Sequence, residues 1–280
     1  MAVTTQGRCN LKYPLLLIHG VGFRDLMHIS YWGRIPDALE AEGGRIYYGG
    51  QDSWGLIEDN ARALGQTLDR VLAETGSEKV NILAHSKGGL DARYLASALG
   101  YSGKIASITT ISTPHHGSKT IDWLLKIPPW LFRTTAFWVD TWCRAMGDQK
   151  PNFYGACRQF STTSVAAFNT ACPDAEGVYY QSYGTAMKNS FGDFFLWFPH
   201  LIVSIADGES DGIVPSASAV WTNFGGVWRG HGRRGVSHLD SVDARRSNFS
   251  RRRVVPLEQG VNDIRQMYMA AIEKLAKRGF

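Results

Sequence analysis

The stretch Ala84-His85-Ser86-Lys87-Gly88-Gly89 constrains the fold of this chain more than any other feature of the sequence. It separates the apolar run 80–83 from a helix-compatible stretch at 90–99. The pattern small-x-Ser-x-Gly is typical of a sharp strand-to-helix turn, where small residues let strand and helix pass closely. Such a turn presents the serine Oγ at the top of a sheet, over a helix N-terminus that favours negative charge. It therefore predicts a nucleophilic Ser86, although a serine in this position can also be a plain N-cap.

Strand-like and helix-like segments alternate on both sides of this turn. Continuous apolar runs predict buried strands, and apolar residues at helical spacing over 57–74 predict an amphipathic helix that ends at Gly76. This alternation predicts an α/β fold, a mostly parallel central sheet with helices on both faces. With 280 residues, 44% of them hydrophobic, we expect a single domain over 1–280. Strands are expected at 15–19, 45–48, 80–83, 105–111, 177–183 and 201–206, and further helices at 35–39 and 264–275.

Two loops are expected beside Ser86 at the edge of this sheet. The first strand ends in His19-Gly20-Val21-Gly22, where a fold of this kind supplies an oxyanion-hole amide. We assign the oxyanion hole to the backbone N–H groups of Val21 and Lys87, and expect His19 to order the loop. The strand at 105–111 ends in Thr113-Pro114-His115-His116, which we interpret as a loop lining the site. Adjacent histidines point in different directions, and no carboxylate pair is near, so they do not suggest a metal site.

Candidates for the acid and the base of a Ser-His-Asp arrangement lie further along the chain. Asp211 lies in a Gly-rich loop after the apolar run 201–206, and Gly-Ile-Val-Pro after it lets the loop turn back. Asp207 is its local rival. His238 is the preferred base, with His231 as the alternative. The order Ser86, Asp211, His238 is the one expected for a nucleophile placed on a strand-to-helix turn.

An aromatic segment follows the site-lining loop. Residues 119–170 contain two helix-compatible stretches rich in Trp and Phe, interrupted by Pro128-Pro129. One interpretation is a helical hairpin whose aromatic residues are core. The other is a helical lid insertion that covers Ser86 in water and moves onto a lipid interface, which its position after a strand ending beside Ser86 favours. A second cluster, Phe191, Phe194, Phe195, Trp197 and Phe198, is expected to line an acyl pocket or to be core.

Charge and cysteine content restrict the remaining function classes only loosely. The net charge is +5, and Arg233-Arg234, Arg245-Arg246 and Arg251-Arg252-Arg253 suggest a basic patch. No nucleic-acid motif accompanies it, so we expect no nucleic-acid partner but a solvated face or one attracted to anionic lipid. The four cysteines have no zinc-site spacing, and their pairing stays open. No run is long enough for a signal peptide or a membrane span, so we expect a soluble protein, secreted if a leader was removed and cytoplasmic otherwise.

The motifs taken together resemble the bacterial true lipases, family I of the α/β-hydrolase superfamily. The resemblance covers nearly the whole chain, with several motifs in the right order. It implies a triad of Ser86, Asp211 and His238, and an oxyanion hole formed at Val21 and Lys87. The matching segments are 13–20, Tyr31-Trp32-Gly33-Arg34-Ile35-Pro36, 84–89, Thr113-Pro114-His115-His116-Gly117-Ser118, Asp211-Gly212-Ile213-Val214 and His238-Leu239-Asp240.

The same resemblance bears on metals and disulfides. The family often has a structural calcium that braces the loop of the catalytic histidine, which implies Asp240 as one ligand and, through a looser alignment, Asp193 as a second. The remaining calcium ligands are not recognisable here, and the cysteine pair of some relatives has no counterpart after Asp211. Ser-His-Asp chemistry itself needs no cofactor.

The resemblance implies hydrolysis of acylglycerol esters at an oil-water interface. A lidless esterase or a polyester hydrolase with the same triad is the nearest alternative. An acyltransferase differs only in its acceptor. A non-catalytic binding protein of the same fold is the alternative from another class, but such proteins usually lack a triad member. The oligomeric state does not follow from the sequence.

Overall fold

The computed structural model describes residues 7–22, 30–246 and 263–280. Within them, a six-stranded sheet has the order β2-β1-β3-β4-β5-β6, and every neighbouring pair of strands is parallel. The predicted α/β class with a parallel sheet is therefore confirmed. The strands are β1 Leu15–Ile18, β2 Ile46–Tyr48, β3 Val80–His85, β4 Ile105–Ile111, β5 Tyr179–Thr185 and β6 Phe224–Trp228.

Helices cover both faces of the sheet and extend beyond its carboxyl edge. Helices α4 to α7 fill most of the segment 119–170, which was predicted as an insertion. The helices are α1 Ile35–Ala41, α2 Ile57–Thr75, α3 Lys87–Ala96, α4 Lys119–Leu124, α5 Pro129–Ala145, α6 Phe153–Gln159, α7 Thr162–Ala171, α8 Trp197–Ala206 and α9 Ile264–Ala276. None of the helices in the described part of the chain is long and apolar enough to cross a membrane.

Alternation along β1 divides the core into two layers. Leu15 and Leu17 pack on one face of the sheet with residues of α1 and α9, whereas Leu16 and Ile18 pack on the other face with residues of α2 and α3. Successive side chains of a strand point to opposite faces, so a fully apolar strand needs helices on both sides. The continuous apolar run at 15–18 is therefore explained by the helices that cover both faces of the sheet.

The parallel strands deliver the candidate site residues to one edge. β1, β3, β4, β5 and β6 all point the same way, and their carboxyl ends lead into the loops that carry His19, Ser86, Thr113, Asp211 and His238. In open α/β sheets this carboxyl edge is where ligands bind. The register Ile18↔Ala84 sets the loop after β1 directly beside Ser86.

Three expectations from the sequence are corrected by the structure. The apolar run 201–206 belongs to helix α8, and the strand preceding Asp211 in the sheet is β5. The cluster Phe191, Phe194, Phe195, Trp197 and Phe198 is not core but exposed, with Phe191 87% exposed. Phe191, Phe194 and Trp197 line a surface pocket together with Asp193. Arg245 is not part of a solvated face but pairs with the buried Asp240 at 2.8 Å, whereas Arg234 is 41% exposed and reaches Asp240 only at 3.6 Å. Arg251-Arg252-Arg253 lies outside the described residues.

Candidate active site

Ser86 occupies a strained turn between β3 and α3. Its φ of 53° and ψ of −130° lie outside the regions that L-residues populate readily. Such strain persists only where the surroundings enforce it, and it clusters at functional sites. The close packing is visible at Gly88, where a Cβ atom would approach the carbonyl oxygen of His19 to 2.5 Å, and at Gly89, where it would overlap Thr113 Oγ1. The two glycines let α3 start directly against the sheet, as the pattern predicted.

The structure brings Ser86, His238 and Asp211 together although they are far apart in sequence. His238 Nε2 lies 3.0 Å from Ser86 Oγ, and His238 Nδ1 lies 2.8 Å from Asp211 Oδ2. A carboxylate can only accept, so Nδ1 carries the ring hydrogen and Nε2 presents its lone pair to the Ser86 hydroxyl. This geometry can deprotonate a serine hydroxyl as it attacks a substrate.

Asp211 is fully buried and held by several donors. Besides His238, its carboxylate accepts hydrogen bonds from Thr185 Oγ1 at 3.0 Å and from the N–H groups of Ile213 and Val214 at 3.1 and 2.8 Å. Burial alone would raise the pKa of Asp211, but His238 and these N–H donors outweigh it and leave the pKa below its ordinary value. The side chain facing His238 is therefore ionised at neutral pH.

The rival acid and base lie elsewhere. Asp207 accepts hydrogen bonds from Ser118 Oγ and from the N–H groups of Lys119 and Thr120 at 2.9, 2.9 and 3.0 Å, so it caps the start of α4. His231 is exposed in the loop before His238. His19 hydrogen-bonds the carbonyl groups of its own loop and of Gln51, whose amide returns a bond to the His19 carbonyl at 2.8 Å.

The oxyanion-hole candidates lie beside Ser86. A Cβ atom on Gly20 would approach Ser86 Cβ to 2.6 Å, so the loop that carries Val21 runs against the nucleophile. Lys87 is the first residue of α3, and the first N–H groups of a helix have no acceptor inside it. The Lys87 side chain points away and forms a buried ion pair with Asp91 at 2.7 Å. Only the backbone of Lys87 is thus left to face a ligand.

The family of the chain is identified by a match to a family model. A sequence model of the family described as alpha/beta hydrolase fold matches residues 13–215, more than half of the chain. The chain belongs to the α/β-hydrolase fold family. The nucleophile turn, the carboxyl-edge site and the parallel sheet of this α/β hydrolase are the features that the sequence predicted.

Individual proteins similar to this chain include triacylglycerol lipases and a lipase of known structure. The α/β hydrolase is 27% identical over 270 residues to triacylglycerol lipase 2 of Saccharomyces cerevisiae, covering 92% of this chain and 77% of the relative. It is 31% identical over 188 residues to a triacylglycerol lipase of Burkholderia plantarii, covering 62% of this chain and only 52% of that relative. Among solved structures, the Staphylococcus hyicus lipase superposes with a TM-score of 0.63 at 17% identity, over 83% of this chain and 90% of the other, which shows a shared fold.

His85, which sequence analysis did not single out, links the nucleophile turn to the loop of His238. Its Nε2 lies 2.7 Å from Ser241 Oγ, and the Ser241 hydroxyl donates at 2.6 Å to the backbone carbonyl of His238. His85 Nε2 must therefore donate, and Nδ1 accepts from the Tyr31 hydroxyl at 2.7 Å. The His85 and His238 rings also lie 4.5 Å apart. The residue before Ser86 thus helps to hold the backbone of His238.

The residues expected to bind calcium do not fit that ion. Asp193 and Asp240 lie together, but the guanidinium of Arg245 is 2.8 Å from a carboxylate oxygen of each. Calcium requires six to eight oxygen ligands, and it would have to displace a positive charge already bound there. The described residues contain no group of three or more histidine, cysteine, aspartate or glutamate side chains placed to hold a metal. Cys9, Cys143, Cys157 and Cys172, all described, are buried free thiols.

Two buried histidines predict a loss of stability in weak acid. Burial lowers the pKa of His85 well below its ordinary value, with His238 and His19 adding to it. Burial likewise lowers the pKa of His115, with Arg93 and His116 adding to it. Below about pH 6.5 these two histidines are protonated in the unfolded chain but stay neutral in the folded chain. The free energy of unfolding therefore rises with pH in this range.

We expect each of these histidines to contribute a slope of about 0.7 kcal/mol per pH unit to the free energy of unfolding at pH 6.5, and ~1.4 kcal/mol per pH unit from about one unit lower. Replacing His115 by asparagine should reduce the slope by about that amount, whereas the same change at exposed His231 should leave it unchanged. Urea unfolding between pH 5 and 7.5 measures the slope. Equal slopes for the His115→Asn variant and the unmodified protein would contradict this prediction.

Proposed function

We propose that this α/β hydrolase is a lipase that cleaves acylglycerol esters through a covalent acyl-enzyme. The observation that carries the proposal is His238, which lies within hydrogen-bond distance of both Ser86 and Asp211. The triacylglycerol lipases of yeast and Burkholderia plantarii support the substrate class. The alignment covers only 52% of the Burkholderia relative. Ser86, Asp211 and His238 nevertheless all lie within this chain.

The chemistry follows from the hydrogen-bond directions. Ser86 Oγ attacks the ester carbonyl carbon while His238 Nε2 takes the hydroxyl proton, and Asp211 stabilises the imidazolium that forms. The tetrahedral intermediate collapses when His238 returns the proton to the leaving alcohol oxygen. Water then enters, loses a proton to His238 and attacks the acyl carbon, which releases the fatty acid and restores Ser86.

The backbone N–H groups of Val21 and Lys87 are the proposed oxyanion hole. The approach of Gly20 to Ser86 and the start of α3 at Lys87 support this assignment. Negative charge on the carbonyl oxygen is greatest in the transition state, where such donors act most strongly. Each donor typically supplies about 2.7–4 kcal/mol of transition-state stabilisation.

Helix α5 supports the proposal that 119–170 is a lid. Its buried side chains Phe132, Ala136 and Cys143 recur at helical spacing on one face. Trp130, Leu131, Phe137, Trp138 and Trp142 lie on the opposite face, and each is at least 47% exposed. A helix that is apolar on both faces is not explained by core packing alone, whereas a lipid surface would cover the outer face.

The burial of Ser86 and the exposed apolar face of α8 also support a lid. Ser86 is only 4% exposed, so a bulky ester reaches it only after part of the covering structure moves. Helix α4 packs on α8, whose Trp197, Phe198, Leu201 and Ile205 share one exposed face. With Phe191, Phe194 and Phe195, that face gives a second apolar surface next to the insertion.

The rate of triacylglycerol hydrolysis across the solubility limit of a medium-chain substrate tests the proposal, with Ser86→Ala as background. We expect the rate to jump when droplets form, because the outward tryptophans then have an apolar surface to enter. Trp138→Ser should reduce the rate on droplets and leave the rate on a dissolved short-chain ester unchanged. Saturation below the limit with no jump would instead indicate an esterase whose aromatic insertion does not act as an interfacial lid.

A further inference from the structure

An arginine lies where the loop of His238 meets the segment that follows β5. Arg245 donates from Nε to Asp240 Oδ1 at 2.9 Å and lies 2.8 Å from Asp240 Oδ2 through Nη2, which makes a two-pronged contact. The same Nη2 lies 2.8 Å from Asp193 Oδ2. The Asp193 side chain is fully buried and that of Asp240 is 6% exposed, so this pairing is poorly screened by water.

The two carboxylates in turn hold Ser237, the residue before His238. Ser237 Oγ donates to Asp193 Oδ2 at 2.6 Å and accepts from the Asp240 N–H at 3.0 Å. The Ser237 N–H donates to Asp240 Oδ2 at 3.3 Å. The backbone on both sides of His238 is therefore fixed to one ionic cluster, with Arg245 at its centre.

Charge balance shows why the cluster needs Arg245. Two carboxylates share a buried space, and unpaired they repel each other. Arg245 contacts both directly, whereas Arg234, the other described cation paired with this cluster, reaches Asp240 at 3.6 Å. The remaining oxygen of Asp193, Oδ1, is already taken by the N–H of Phe195 at 2.9 Å. All four carboxylate oxygens are thus satisfied by protein donors.

We propose that Arg245 is a positioning residue that supplies, from within the chain, the positive charge fixing the loop of His238. Its role in turnover rests on the proposed function of His238 as the base. A guanidinium matches a carboxylate in a bidentate geometry that an ammonium group cannot reproduce. This cluster therefore needs no divalent metal ion to hold the loop of His238.

The test compares Arg245→Gln and Arg245→Lys with the unmodified protein and with Arg62→Gln. Arg62 pairs with Asp59 in an exposed contact on α2 and is a matched loss of one arginine far from the site. Thermal unfolding midpoints are measured with EDTA and with added calcium. Separately, kcat and KM on a dissolved ester and the rate of Ser86 modification by an alkyl fluorophosphonate are measured well below the midpoints.

We expect the unmodified protein to keep its midpoint in EDTA and in calcium. Arg245→Gln should lower the midpoint by about 5–10 °C, Arg245→Lys by less, and Arg62→Gln hardly at all. Arg245→Gln should also lower kcat and the phosphonylation rate by about 10–100-fold, with KM nearly unchanged, as is typical when the support of a site residue is lost.

Two results would overturn the proposal. An EDTA-induced fall in the midpoint of the unmodified protein, reversed by calcium, would mean that a metal and not Arg245 fixes the loop. Unchanged kcat and phosphonylation rate in folded Arg245→Gln would reduce Arg245 to a structural role. If no ester is hydrolysed at all, the midpoints and the phosphonylation rates still decide about Arg245, so failure of the proposed function is distinguishable.

Discussion

Replacing Ser86 by alanine is expected to lower kcat for ester hydrolysis by about 10⁶-fold. Among the described residues of the site, Ser86 carries the hydroxyl placed to form the acyl-enzyme, since its Oγ faces His238 Nε2 at 3.0 Å. Residual turnover should come from the oxyanion donors and substrate binding alone. Steady-state rates on a dissolved ester, combined with circular dichroism to verify the fold, measure the effect.

A double variant and a matched serine sharpen this prediction. Ser86→Ala combined with His238→Ala should be no slower than Ser86→Ala, because the residues act as one unit. Ser107 is a buried serine of β4 that donates to Asn81, and Ser107→Ala should leave kcat nearly unchanged. A folded Ser86→Ala protein with near-native turnover would refute the mechanism.

Replacing Asp211 by asparagine is expected to lower kcat by about 10⁴-fold. The introduced side-chain amide can donate to His238 Nδ1, and the ring would then carry its hydrogen on Nε2, directed at Ser86. A base in that tautomer cannot accept the serine proton. The geometry should persist, because Ile213 and Val214 still donate to Oδ1. Thr185 Oγ1, which donates to Oδ2 of Asp211, can accept from the introduced amide and donate to Ser112 Oγ instead. Rates on a dissolved ester, with a crystal structure of the variant, test both statements.

Asp207→Asn is the control for this variant. Asp207 precedes Gly208 as Asp211 precedes Gly212, but its carboxylate caps α4 and does not contact His238. We expect a loss of stability of about 1 kcal/mol from a weakened cap, with kcat changed only slightly. Equal losses of kcat in the two variants would mean that the acid of the site is assigned wrongly.

Much of the fold is predictable because local patterns and global topology agree. The doubly covered strand β1 needs apolar residues at every position, and the turn at Ser86 needs small residues on both sides. In a parallel sheet, loops that are far apart in sequence meet at the carboxyl edge. The sequence order of Ser86, Asp211 and His238 therefore already selects residues that the structure places in contact.

The errors have equally physical causes. Residues 201–206 are apolar except for Ser204, and periodicity cannot distinguish a short strand of this kind from the end of a helix. The Phe-rich cluster at 191–198 misleads because composition reports hydrophobicity and not exposure. His85 and Arg245 could not be identified from spacing, since their roles depend on contacts with Ser241, Asp193 and Asp240.

The most direct test of the account is covalent labelling with a short-chain alkyl fluorophosphonate in detergent micelles, read by intact mass and peptide mapping. The account predicts a single adduct on Ser86, absent from Ser86→Ala and formed far more slowly in His238→Ala. A folded protein that forms no adduct, or forms it on another serine such as Ser112 or Ser241, would contradict the assignment of Ser86 as the nucleophile.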